Sequence, residues 1–309
     1  MRLKRKWLIW TGLAAVLFAL AGVACWHFYF SHPTGNGPAG PSISSEPFSK
    51  PWTSRPVLLV GIGDSVTAGF GARKGFSYFD RLVKNPAEEW PEVQGLNLSQ
   101  VFPNFSFTNL AVSGSTSLEH ESRQIPRLPH GYTNTLGIVV MTTGGNDLIH
   151  SYGRLPPKEG AMYGATWEQA QPWITNYEAR MERTLDEITR AFPGGCHIFL
   201  ANIYDPTDGT GDARSVGLPL WPDAVRIHAA YNEVIRKCAT KCQHVHLVDL
   251  HGPFLGHGLT STQFWQPHYR SNDPHYWYFL NLEDPNERGY DAIRRIFLSE
   301  IVKVHEQLR

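Results

Sequence analysis

From residue 55 onward, short and mostly apolar runs alternate with longer stretches whose apolar residues recur every three or four positions. The short runs are 56–62 (PVLLVGI), 105–112 (FSFTNLAV), 137–142 (GIVVMT), 197–203 (HIFLANI) and 245–250 (VHLVDL). Their length and β-branched content predict strands, and the lack of polar alternation predicts burial on both faces. The longer stretches, 77–84, 115–127, 171–192, 223–240 and 287–308, have helical spacing. Strand and helix taking turns in this way predict a parallel sheet covered by helices on both sides. The expected fold is a three-layer α/β/α sandwich of the flavodoxin-like kind with a five-stranded sheet. Ligands of such sheets bind beyond the C-terminal ends of the strands.

The chain ahead of residue 55 follows other rules. Residues 1–6 (MRLKRK) carry four positive charges, and residues 7–30 are apolar with no Asp, Glu, Lys or Arg. About 20 apolar residues span a bilayer core, and basic residues before such a stretch hold the N-terminus in the cytoplasm. Val23-Ala24-Cys25 runs on into Trp26, His27 and Phe28, so the stretch is read as an uncleaved membrane anchor. Lipidation at Cys25 and signal cleavage are the alternatives. All three place the rest of the chain outside the cytoplasm. Residues 31–54 are rich in Pro, Gly and Ser, a composition expected to act as a tether. The expected organisation is therefore an anchor at 1–30, a linker at 31–54 and one domain at 55–309.

Composition narrows the function. Lys plus Arg equals Asp plus Glu at 28 each in 309 residues, which gives no basic surplus for nucleic acid and no acidic arm. Four cysteines are present, Cys25, Cys196, Cys238 and Cys242. Cys196 and Cys242 precede adjacent strands, and an oxidising compartment would let them bridge. Cys238, Cys242, His244 and His246 match no compact zinc spacing, so no metal or organic cofactor is expected.

Chemistry-bearing residues gather after the first three strands. The first is followed by Gly61-Ile62-Gly63-Asp64-Ser65-Val66-Thr67-Ala68-Gly69. Val66 replaces the third glycine of a dinucleotide fingerprint, and no lysine makes it a P-loop. A serine on a tight strand-to-helix turn is placed to be a nucleophile. It is equally placed to cap the helix. The second strand leads to Ser113-Gly114-Ser115 and the third to Gly144-Gly145-Asn146-Asp147.

These three blocks, in order and each after a predicted strand, resemble the SGNH (GDSL) hydrolase family over most of residues 57–305. The resemblance implies an ester hydrolase with Ser65 as nucleophile. The backbone N–H groups of Ser65 and Gly114 and the side-chain amide of Asn146 would then form its oxyanion hole. Fixed donors at a developing oxyanion are worth about 3–4 kcal/mol each. The family's late block has a histidine directly before Pro-Asn, three residues after an aspartate; here Asp284 stands in that place, ahead of Pro285-Asn286. Among His251, His257, His268 and His275, the last is nearest upstream and follows Asp273 by two residues. His275 is the expected base and Asp273 its orienting partner, with 276–283 looped out as an insertion. The expected substrate is a carbohydrate O-acyl or lipid acyl ester. A non-catalytic binding protein of the same fold and an acyltransferase acting on an envelope glycan are the alternatives.

Overall fold

The computed structural model describes residues 2–131 and 133–308, and the side chains of the basic stretch at 1–6 lie outside the described residues. We label the helices α1 (Arg2–Tyr29), α2 (Ser65–Ala68), α3 (Tyr78–Val83), α4 (Gly145–Ile149), α5 (Trp167–Ala191), α6 (Ala224–Lys241) and α7 (Glu287–Lys303). The strands are β1 (Val57–Ile62), β2 (Phe105–Asn109), β3 (Leu136–Met141), β4 (Cys196–Ala201) and β5 (Val245–Val248). They form one sheet in the order β2-β1-β3-β4-β5, parallel throughout. The expected α/β/α sandwich is present.

Strand side chains alternate between two cores, because successive Cβ atoms point to opposite faces. Val57 and Leu59 of β1 join Ile138 and Val140 of β3 and Phe199 of β4 under α3 and α7. Leu58, Val60 and Ile62 join Val139, Met141, Ile198 and Leu200 under α5 and α6. Burial on both faces explains why these strands read as unbroken apolar runs. Strand β2 is an edge, and its Phe107 is exposed.

Two helices depart from their expected shapes. Thr166 and Gln169 form a capping box that starts α5 at Trp167, with Pro172 inside the helix. The stretch 115–127 is a broken helical segment: an α turn at Ser117–Glu119, a π turn at His120–Gln124 and a 3₁₀ turn at Ile125–Arg127. Pro126 cannot donate an amide to a continuing α-helix.

Residues 31–54 lie along the domain instead of running free. Ala39, Phe48 and Trp52 are buried in the α3/α7 core. Ala39 N–H donates to Asp291 Oδ2 at 3.1 Å, and Tyr276 N–H donates to Pro33 O at 2.8 Å. Arg288 donates to the carbonyls of Thr34, Gly37 and Pro38. Three apolar anchors and a row of accepted hydrogen bonds outweigh the Pro/Gly/Ser average.

Within α1, Trp10–Tyr29 is long and apolar enough to cross a membrane by length and composition. At about 1.5 Å per residue its 20 residues reach about 30 Å. The end of α1 meets the domain where Gln263 Nε2 donates to Phe28 O at 2.9 Å and Trp265 packs on the Phe28 ring. Cys196 and Cys242 are not bridged: all four cysteines carry free thiols. Cys196 faces the α5/α6 core, and burial raises its thiol pKa.

Candidate active site

Because β2 and β3 flank β1, the chain reverses its direction of progress across the sheet at β1. Open α/β sheets form their ligand crevice at such a point. Gly63, just past β1, has φ +142° and sits so close to β3 that a Cβ there would lie 2.4 Å from Thr142 O. Only glycine fits this turn. Gln124 clamps it from outside, accepting from Gly63 N–H at 2.9 Å and donating to Gly63 O at 2.8 Å. Asp64 caps α2 by accepting from Val66 N–H at 3.1 Å, and it accepts the Thr142 hydroxyl at 2.8 Å. Burial pushes its carboxyl up to about 6. Ser65 opens α2, so its own N–H has no partner within that helix.

The turn after β2 places Gly114 at φ +80° with open space where a Cβ would be. The backbone conformation, not crowding, is what calls for glycine here. Gly114 O accepts His150 Nε2–H at 2.7 Å. Asn146, the second residue of α4 and 7% exposed, donates from Nδ2 to Ser115 O at 3.0 Å. Ser115 Oγ in turn lies 2.9 Å from Gly63 O. A chain of hydrogen bonds thus ties the three turns together. Behind them the buried Asp147 accepts from Ser117 N–H at 2.8 Å and lies beside Arg180.

Ser65 and Asn146 line one cleft with Asp64, Thr142, Tyr152, Asn202, Asp205, His228, Asn281 and Glu283. Leu148, Ile149, Ile203, Leu218, Trp221, Leu250 and Leu282 make its apolar wall, and among the described residues no lysine or arginine lines it. Gly114 does not line the cleft; its neighbour Ser115 is the residue tied to Asn146.

The late block brings a carboxylate to the serine. Asp284 is 2% exposed and accepts Asn281 Nδ2–H at 2.6 Å. Burial raises its carboxyl above the usual carboxylate range, while the nearby Ser65 hydroxyl and the hydrogen bond from Asn281 hold it back in part. The Ser65 contact falls short of ideal geometry, since Asp284 Oδ1 has no well-formed partner.

His275 lies elsewhere. Its Nδ1 is 2.5 Å from Asp273 Oδ1, so the expected pair exists, but Arg288 grips Asp273 through two 3.0 Å hydrogen bonds. The His275 ring covers Gly35, whose Cβ would lie 2.6 Å from it. The pair faces the 33–38 strap, and His275 does not line the Ser65 cleft. His257 stacks on Trp277 at 3.5 Å and is held neutral by burial, with its pKa lowered to about 4. His268 lies over Gly209. His251 sits against His228, with ring centroids 5.0 Å apart. His228 is the histidine that does reach the cleft; within the predicted helix 223–240 nothing set it apart from a surface residue.

A parallel sheet with a serine on the turn after β1 and an asparagine on the turn after β3 defines an SGNH-type hydrolase architecture. The sequence profile of the GDSL-like lipase/acylhydrolase family matches residues 62–292, and the chain belongs to this family. No curated protein sequence matches it. Among solved structures it is similar to an extracellular lipase from Streptomyces rimosus, with TM-score 0.53 and 18% identity over 79% of this chain and 99% of that one. It is also similar to an acetyl xylan esterase variant from Geobacillus stearothermophilus, with TM-score 0.50 and 18% identity over 80% and 95%. At such identities the likeness establishes the fold.

Proposed function

We propose that the protein hydrolyses a neutral acyl ester through an acyl-serine formed on Ser65, with Asp284 in place of the family's histidine as proton acceptor. The observation that carries this reading is the Asp284 carboxylate beside Ser65, which itself shares a cleft with Asn146. A base works best when its pKa lies near the working pH, and burial moves Asp284 in that direction. Ser65 Oγ would attack the carbonyl carbon as its proton passes to Asp284. The oxyanion would be held by the N–H groups of Ser65 and Gly114 and by Asn146 Nδ2. Protonated Asp284 would then hand its proton to the departing alkoxide, and water would repeat the cycle on the acyl-serine.

The carboxyl groups at the cleft and the lack of cationic residues in its lining disfavour an anionic reacting group. The apolar wall suits an acyl chain, so a lipid acyl ester fits better than a carbohydrate O-acetyl ester. Helix α1 would hold the domain at a membrane, on the side away from the cytoplasm.

A fluorophosphonate probe should label the wild type and not Ser65→Ala, and p-nitrophenyl esters should be hydrolysed in the same pattern. The Asp284 substitution also favours a second reading, a protein that binds esters without cleaving them. Ester binding with no labelling would support that reading against ours. An acyltransferase would show itself by an alcohol acceptor outcompeting water.

A further inference from the structure

Asp205, His228 and His251 come from three separate parts of the chain. Asp205 follows β4, His228 lies in the second turn of α6, and His251 follows β5. Strands β4 and β5 deliver Asp205 and His251 to the C-terminal edge of the sheet, and the start of α6 brings His228 to them. One ligand atom from each residue lies within 4.8 Å of the other two. Asp205 and His228 both line the Ser65 cleft.

Asp205 and His228 are held as metal ligands would need to be, and the His251 ring is free to turn toward them. Asp205 is 8% exposed. Its Oδ1 accepts the N–H and hydroxyl of Thr207 at 2.8 and 2.7 Å, and its Oδ2 accepts Gly209 N–H at 2.9 Å. Three bonds leave one of about four lone-pair directions unused. His228 Nε2–H donates to Ile203 O at 2.9 Å. That tautomer leaves the Nδ1 lone pair available, and a backbone carbonyl on the second ring nitrogen is the usual support for a ligating histidine. The His251 imidazole makes no hydrogen bond among the described residues, while its backbone N–H is pinned by Asn202 Oδ1 at 2.8 Å. Two neutral imidazoles and one carboxylate suit zinc-class ions, whereas calcium and magnesium prefer oxygen alone. Zinc–nitrogen bonds of about 2.0–2.1 Å set ligand atoms about 3.3 Å apart, so the three groups, now within 4.8 Å of one another, would draw together on binding.

We propose that Asp205, His228 and His251 form a three-ligand site for a divalent transition-metal ion of the zinc class, opening onto the wall of the Ser65 cleft. With three protein ligands, one coordination position stays open, and two of the ligands, Asp205 and His228, line that cleft. The site stands whether or not Ser65 is a nucleophile.

The test uses the full chain, stripped with chelator and dialysed, then titrated with cobalt(II) by visible absorption and with zinc(II) by calorimetry. One equivalent should bind, and cobalt(II) should show the intense bands of a four- or five-coordinate ion. His228→Gln and His251→Gln should each weaken binding at least about 100-fold, more than the 10–100-fold typical of losing an outer partner. Ser65→Ala should bind as the wild type does, which separates this site from the hydrolase reading. His246→Gln should also bind normally; it breaks the other close histidine pair, in which His197 Nδ1 lies 2.9 Å from His246 Nε2. No stoichiometric binding would overturn the proposal. So would binding that survives both glutamine variants, or that is lost with His246→Gln.

Discussion

The Asp284 carboxylate faces the Ser65 hydroxyl at the end of β1, in the place where the family pattern puts an imidazole. The hairpin that carries it is fastened from both sides. Phe279 N–H donates to Asp284 O at 2.6 Å, and the Tyr204 hydroxyl donates to Glu283 O. The carboxylate is therefore positioned by its backbone as well as by Asn281.

If Asp284 accepts the Ser65 proton, activity requires its ionised form and must rise with pH through its pKa. Burial raises that pKa, so the ascending limb of the kcat/KM profile should lie above the usual carboxylate range, about 4. Asp284→Asn should lower kcat/KM by about 10²–10⁴, the scale of a lost general base. Asp284→His should retain activity, with its limb near the ordinary imidazole value of about 6.5. An unchanged profile in both variants would remove Asp284 from the mechanism.

His275 is expected to act on the strap and not on the chemistry. His275→Ala should leave kcat for a short p-nitrophenyl ester within about threefold of wild type. Amide hydrogen exchange across 31–40 should speed up, because the ring that covers Gly35 and orients Asp273 toward Arg288 is gone. A loss of kcat on the scale of a missing general base would restore the original reading of His275 as the base.

Asp64 gives a pH dependence of stability with a definite sign. Its folded pKa is raised from 3.8 to about 6 by burial, so the folded chain binds the proton more tightly than the unfolded one. The stabilisation is complete below about pH 4 and is lost as pH rises through 6. Its size is on the order of 2–3 kcal/mol. Asp64→Asn keeps an acceptor for Val66 N–H and Thr142 and removes the titration. Between pH 4 and 6.5 its unfolding free energy should fall less steeply than that of the wild type in urea denaturation.

The sheet was legible because burial on both faces leaves an unmistakable run of apolar residues. The turns carrying Ser65 and Asn146 were legible because each follows such a run, and the Gly114 turn because it follows the less buried edge strand β2. What failed to show depended on contacts between distant segments. Ala39, Phe48 and Trp52 are too few to shift the composition of 31–54, yet they bury it. The Thr166–Gln169 capping box was a local signal for the start of α5, ahead of the expected residue 171, and Pro172 obscured it. Asp284 looked like a missing histidine because the burial that raises its carboxyl is not displayed by a sequence. The Asp205, His228 and His251 cluster has no spacing signature, since it is assembled by the sheet edge.

Asn146 offers the sharpest test of the oxyanion assignment, because its amide has two hydrogens and the structure accounts for one. One donates to Ser115 O at 3.0 Å, leaving the other for a substrate oxyanion. Asn146→Ala removes both, so a loss of activity alone could reflect a loosened Ser115 turn. The two effects differ in kind. Losing the Ser115 bond should lower stability by about 1 kcal/mol, the net worth of a typical hydrogen bond. Losing an oxyanion donor should lower kcat by about 10²–10³ with KM little changed, because the interaction strengthens only as charge develops. Asn146→Asp keeps the shape, loses the donors and places a carboxylate against the oxyanion, so it should be at least as inactive as the alanine variant. Measured kcat, KM and urea midpoints for both variants check the assignment. A KM rise at constant kcat would instead mean that Asn146 binds the substrate's ground state and stabilises no oxyanion.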